Sequence, residues 1–143
     1  MDTTIKLKAL KSELNQLFLE RETLIDLYLS CMISGYSIFV GGLPGTGKTA
    51  LAKVITEAFQ GKSCYRLLQA SSTLEEVIGA VDLGALDKGL FRRKLDNGAV
   101  MADTLILDEG FKANSPVLNA LLGLILDKEY ENGDDGAIKS PLN

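Results

Sequence analysis

The chain has 143 residues, 46% hydrophobic and 24% charged, enough to bury an ordinary core in one domain or part of a larger one and too apolar to be disordered throughout. Its 15 Lys+Arg against 19 Asp+Glu leave a formal charge of −4, which argues against a dedicated nucleic-acid binder, since such proteins usually carry a basic excess or stripe. His is absent, which removes His-based triads, His metal ligands and His pH switches. Cys31 and Cys64 have no metal-ligand spacing and read as two reduced, buried thiols of a cytoplasmic protein.

Taken in chain order, Leu7, Leu10, Leu14 and Leu17 alternate three and four apart, which predicts a helix over 5–20 with one apolar stripe, for core packing or for a partner. A second helix is expected over 22–32, closing near Gly35. Lys6, Lys8 and Lys11 interleave with the first apolar residues, unlike a signal peptide. The apolar stretch that follows carries Asp26 and a turn signal at Ser34-Gly35, so it reads as helix then strand and not as a membrane span. Ser37–Val40 predicts a short buried strand bounded by glycines. After a glycine loop, Leu51, Val54, Ile55 and Ala58 recur at helical spacing.

A second strand is expected over 64–68 and helix over 74–86, weakened by Gly79 and Gly84. Residues 89–102 read as a hairpin, with Asn97-Gly98 suited to a type I′ turn. Thr104–Leu107 is another buried strand, ending in Asp108-Glu109. Ser115-Pro116 reads as a helix start, Ser as cap and Pro in the first turn, with Leu118, Leu121, Leu122 and Ile125 on one face. The tail from Glu131 is polar and turn-rich. Helices alternating with buried apolar strands predict an α/β fold with a mainly parallel sheet.

The strongest motif is Gly42-Leu43-Pro44-Gly45-Thr46-Gly47-Lys48-Thr49, a full match to GxxxxGK[ST] between a predicted strand and a predicted helix. Its glycines let consecutive backbone N–H groups point at one anion, and the helix that starts there, through Ala50, adds its positive end. Lys48 is suited to the β- and γ-phosphates of a nucleotide and Thr49 to a magnesium ion. Asp108, at the end of a buried strand, is the candidate for the magnesium shell, and Glu109 for the general base that polarises the attacking water.

With both motifs in place the chain resembles the AAA+ ATPases and, within them, the MoxR family, nearest the regulatory ATPase RavA group. The residues that carry the resemblance are LERETLIDLYLSCMISGYSIFVGGLPGTGKTALAK, TLEEVIGAVDLGAL and TLILDEGFKANSPVLNALLGLILDKEYENG. The resemblance implies a three-layer P-loop NTPase fold with strand order 5-1-4-3-2, ATP and Mg²⁺ as ligands, and hexameric rings that remodel partner proteins, often beside a protein with a von Willebrand factor A domain. It divides the chain into N-terminal helices, 1–34, and a partial core, 35–143. It would also put residues 89–102, with Phe91, Arg92 and Arg93 exposed, on a hairpin, either plainly solvated or touching substrate.

Against the family pattern, the sequence ends where strand 4 is expected, and Arg21, Arg66, Arg92 and Arg93, its only arginines, occupy no finger position. Sensor, arginine finger and helical lid are therefore expected to be missing and turnover by this chain to be low. The phosphate-loop strand and the Asp108 strand should lack a shared neighbour, leaving the chain marginally stable or pairing its open edges with another molecule. Two other functions compete. One is a catalytically silent interaction module using the Leu7–Leu17 stripe. The other is a small-molecule P-loop kinase, which would want an arginine-rich lid that the stretch after Asp108 does not supply. A DNA-directed ATPase is disfavoured by the acidic balance.

Overall fold

Residues 3–43 and 45–142 are described by the computed structural model. The chain divides into two compact units, one ending at Gln60 and the other running from Gly61 to Leu142.

In the first unit the helical periodicity becomes three helices: α1 (Thr3–Leu17), α2 (Glu22–Ser34) and α3 (Lys48–Ala58). Their core is Leu14 from α1, Ile25 and Leu29 from α2, and Leu51 and Ile55 from α3. The i, i+4 spacing within α2 and within α3 puts each pair on one face. Leu7 and Leu10 pack against this cluster, whereas Leu17, at the end of the predicted stripe, is 67% exposed. Gly35 ends α2 at φ +71, its amide bonded to the Cys31 carbonyl, a stop that a side chain would disfavour. Cys31 is half-buried, in contrast to the buried thiol expected.

The buried strand expected at 37–40 is not formed. These residues have no ladder, and Phe39 is 75% exposed between half-buried Ile38 and Val40. An apolar run becomes a strand only when a neighbouring strand takes up its backbone in a ladder, and among the described residues 37–40 belong to none.

In the second unit β1 (Ser63–Leu67) and β2 (Thr104–Asp108) pair in parallel, with Tyr65 opposite Ile106 and Leu67 opposite Asp108. The crossover holds two single helical turns, α4 (Leu74–Val77) and α5 (Leu83–Leu86), in place of the one helix expected. The break falls at Gly79. It sits at φ +147, and a Cβ there would lie 2.0 Å from the Lys94 carbonyl oxygen. A capping box, Thr73 with Glu76, starts α4.

The hairpin expected at 89–102 is absent. The segment makes one isolated bridge, Val81 to Arg93, and then a 3₁₀ turn over Ala99–Met101. Gly98 has φ −89, incompatible with a type I′ turn, and serves instead a close approach to the Ile78 carbonyl. A hairpin forms in the polar tail, where β3 (Glu129–Glu131) pairs antiparallel with β4 (Ala137–Lys139). Before it runs α6 (Ser115–Asp127), capped by Asn114, whose side chain accepts from the Val117 amide, and not by Ser115. The buried face of α6 is Val117, Leu121 and Leu124, turned from the one predicted, so Leu118 and Leu122 are partly exposed. These residues close over Cys64, Leu68, Ile78 and Val100 to form the core of this unit.

Candidate functional site

The first unit carries the glycine loop. Gly45 and Gly47 both take φ +77, where an L side chain is strained, although among the described residues a Cβ at either would meet nothing within 4 Å. The glycines are therefore required by backbone conformation and not by crowding. Gly47 is also the N-cap of α3 and has no side chain with which to cap it, so the N-terminal end of this helix is left to other acceptors. Such a helix start favours an anion.

Lys48 folds over this loop. Its ammonium donates to the carbonyls of Gly42 (2.9 Å) and Leu43 (2.7 Å) and to Thr46 Oγ1 (3.1 Å). Thr46 Oγ1 in turn donates to the Leu43 carbonyl at 2.9 Å. All three donors of the ammonium are thus directed at oxygens, the type of partner a polyphosphate also offers. Arg21, just before α2, was not singled out in the sequence. Its guanidinium makes a long hydrogen bond to the Thr46 carbonyl, 3.4 Å, on the side of that peptide away from the Gly47 amide. A cleft of about 410 Å³ in this unit is lined by Arg21, Glu22, Val40, Gly42, Thr46 and Lys48, among others. Pro44 lies outside the described residues.

The second unit carries the acidic pair. Asp108 ends β2, and both of its carboxylate oxygens accept a proton donor: the Glu109 amide on Oδ1 (3.1 Å) and the Tyr65 hydroxyl on Oδ2 (3.1 Å). Partial burial, then the hydrogen bond to Asp108 and the charges of Asp108 and Glu109, push the Tyr65 phenol above its ordinary value. Glu109 leaves the strand at φ +54, an uncommon conformation for a non-glycine residue. Its carboxylate pairs with Lys112.

Among the described residues no group of three or more His, Cys, Asp or Glu could hold a metal ion. A divalent ion would then take few protein ligands and lean on oxygens of its own ligand, as Mg²⁺ usually does. Asp108, a hard oxygen donor with both oxygens held in place, suits that role.

Three of the four arginines are committed elsewhere. Arg66 donates to the carbonyls of Glu76, Tyr65 and Asn97. Arg92 pairs with Asp82 and Asp135, and Arg93 donates to the Gly79 carbonyl. On the segment expected to expose Phe91, Arg92 and Arg93, only Phe91 is exposed, at 47%, and both arginines are half-buried. Among the described residues no helix is long and apolar enough to cross a membrane.

Residues 5–142 match a family model described as the MoxR domain in the MoxR-vWA-beta-propeller ternary systems. Two uncharacterized proteins of Methanocaldococcus jannaschii are 36% identical over 131 residues and 35% over 130. Each alignment covers 90% of this chain but only 34% and 35% of the relative, so the chain spans about a third of their length. A Cytophaga hutchinsonii protein whose crystal structure is described as that of a "putative ATPase" superposes with a TM-score of 0.73 at 22% identity, over 96% of this chain and 40% of that one. That likeness bears on the fold, and it agrees with the P-loop α/β architecture and with the parallel pairing of β1 and β2. The placement beside the RavA group rests on residue resemblance alone.

Proposed function

Because the chain belongs to the MoxR family of AAA+ ATPases, we propose that it binds ATP through residues 42–50 and contributes to ATP hydrolysis that drives remodelling of partner proteins. The observation that carries this reading is the loop itself: two left-handed glycines, the second of them the N-cap of α3, and the Lys48 ammonium, collected on one small stretch of backbone. On binding, the Lys48 ammonium exchanges the carbonyls of Gly42 and Leu43 for phosphate oxygens, while backbone amides around Gly45 to Ala50 hold the polyphosphate. When bound, Mg²⁺ neutralises phosphate charge. Thr49 offers it a hydroxyl and Asp108 a carboxylate. Glu109 acts as general base, taking a proton from the attacking water.

The assembly is proposed on the family pattern: a homo-oligomeric, hexameric ring in the cytoplasm, working with a partner that bears a von Willebrand factor A domain. The matched MoxR domains come from systems that include such a component. Arginine fingers raise rates by about 10³–10⁵. With Arg66, Arg92 and Arg93 bonded within their own unit, hydrolysis by this chain alone is expected to be slow.

The test is equilibrium binding of a fluorescent ATP analogue to the folded chain. Lys48→Ala removes one charged hydrogen-bonding group, worth about 1.5–3 kcal/mol, and should weaken binding by about 10- to 100-fold in a chain that still unfolds cooperatively. Equal affinity in Lys48→Ala, or no saturation by the parent chain at millimolar ligand, would overturn the reading.

A further inference from the structure

The strand register of the second unit puts a side chain with no assigned role against Asp108. In the parallel pair, Tyr65 is level with Ile106 and Leu67 with Asp108. Positions two apart on a strand share a face, so the Tyr65 side chain and the Asp108 side chain emerge on the same side, one step apart along the sheet. The tyrosine ring spans that step, and its hydroxyl donates to Oδ2 at 3.1 Å. On the other oxygen, the Glu109 amide donates to Oδ1 at 3.1 Å.

We propose that Tyr65 is a positioning residue for Asp108, fixing the carboxylate so that its remaining lone pairs are presented to magnesium. The second torsion of an aspartate is broad, so the carboxylate can swing unless its contacts hold it. A second anchor on Oδ2 removes the swing. Each carboxylate oxygen has about two acceptor sites, so both anchors can persist while one oxygen meets a metal ion. Mg²⁺ demands near-ideal octahedral geometry at about 2.0–2.1 Å, whereas Ca²⁺ accepts looser arrangements at about 2.3–2.6 Å. A carboxylate set in advance therefore matters more for Mg²⁺.

This inference rests on the proposed metal role of Asp108, and the experiment separates the two. ATP affinity of the full chain is measured by titration calorimetry in EDTA and across a range of Mg²⁺ and of Ca²⁺, for the parent, Tyr65→Phe and Asp108→Asn. The phenylalanine ring keeps the packing and removes only the donor. Tyr65→Phe should leave affinity in EDTA unchanged, lower the melting temperature by no more than the few degrees that one hydrogen bond supports, and raise the Mg²⁺ concentration needed for half of the metal effect by about 5- to 10-fold, near the low end of what outer-shell partners contribute. The shift should be smaller for Ca²⁺. A Mg²⁺ dependence of Tyr65→Phe equal to the parent's overturns the positioning role while Asp108→Asn still loses the metal effect. An Asp108→Asn variant with an intact metal effect overturns the metal reading, and the positioning role with it. Loss of affinity in EDTA as well would show Tyr65 to be a structural residue only.

Discussion

Glu109 is held at φ +54, ψ +36 at the end of β2, a conformation that costs an L residue with a Cβ roughly 1–2 kcal/mol. Strain of this kind persists where the surrounding structure imposes it, and it clusters at working sites. The exposed pair with Lys112 does not offset it by much, because such pairs contribute about 0–1 kcal/mol. Two truncations separate backbone from side chain. Glu109→Ala and Glu109→Gly both remove the carboxylate and the Lys112 partner, yet only glycine relieves the backbone. At an unstrained site alanine is the more stable of the two by roughly 0.4–1 kcal/mol, through the entropy of the unfolded chain. Here the order should invert, with glycine ahead by about 0.5–1 kcal/mol after that entropy is subtracted from the relief. Urea unfolding at constant slope measures it. Alanine ahead of glycine would mean that this turn does not impose a left-handed residue.

At the scale of elements, α6 shows how a cap is chosen by tertiary contacts. Both Asn114 and Ser115 are good capping residue types. Asn114 holds the position because its amide also donates to the carbonyls of Ala70 (3.1 Å) and Ser72 (2.6 Å), tying the helix start to the loop after β1. Asn114→Ala should therefore cost about 1–2 kcal/mol in thermal or urea unfolding, whereas Ser115→Ala should cost little. The reverse order would assign the cap to Ser115. Asn132 plays a comparable part. Its buried side chain accepts from the Arg93 amide (2.8 Å) and donates to the Arg93 carbonyl (3.1 Å), standing in for a strand partner. Here the limit of sequence reading becomes physical. Periodicity and local punctuation located α1, α2, α3, β1 and β2, because those signals lie within each segment. The hairpin expected at 89–102 and the strand at 37–40 depended on which backbone would face them, and that is non-local. Residues 91–93 are held by side chains of the Asn132–Asp135 turn, so the hairpin's pairing was never needed. The same division runs through the candidate site. The glycine loop is one contiguous motif and was legible, whereas Tyr65 meets Asp108 from 43 residues away, a contact set by strand register.

Across the whole molecule, two titrations bound the pH range of the second unit. At Asp82, partial burial pushes the carboxyl up, but the Arg92 guanidinium, the Ala85 amide and Lys94 outweigh it and hold the group below its ordinary 3.8. The unfolded chain then takes up this proton before the folded chain does, so the stability from Asp82 is complete above about pH 3.8 and drains as pH falls through the folded value. Cys64 works at the other limit. Burial pushes its thiol above 9.0, and Arg66 and Lys62 only partly oppose the shift. The folded chain keeps a proton that the unfolded chain releases, so the stability from Cys64 is complete below about pH 9.0 and is lost as pH rises through the folded value. Unfolding free energy of this unit, followed by urea titration at a series of pH values, should be level between these limits and fall on both sides. Asp82→Asn should lower the plateau by breaking the Arg92 pair and flatten the acid limb, leaving the alkaline limb in place. Cys64→Ala should lower the plateau and delay the alkaline fall, leaving the acid limb in place. An acid limb that survives Asp82→Asn unchanged would show that other carboxylates govern acid unfolding, and that the Asp82–Arg92–Asp135 cluster does not hold the 91–93 segment to the tail turn strongly enough to matter.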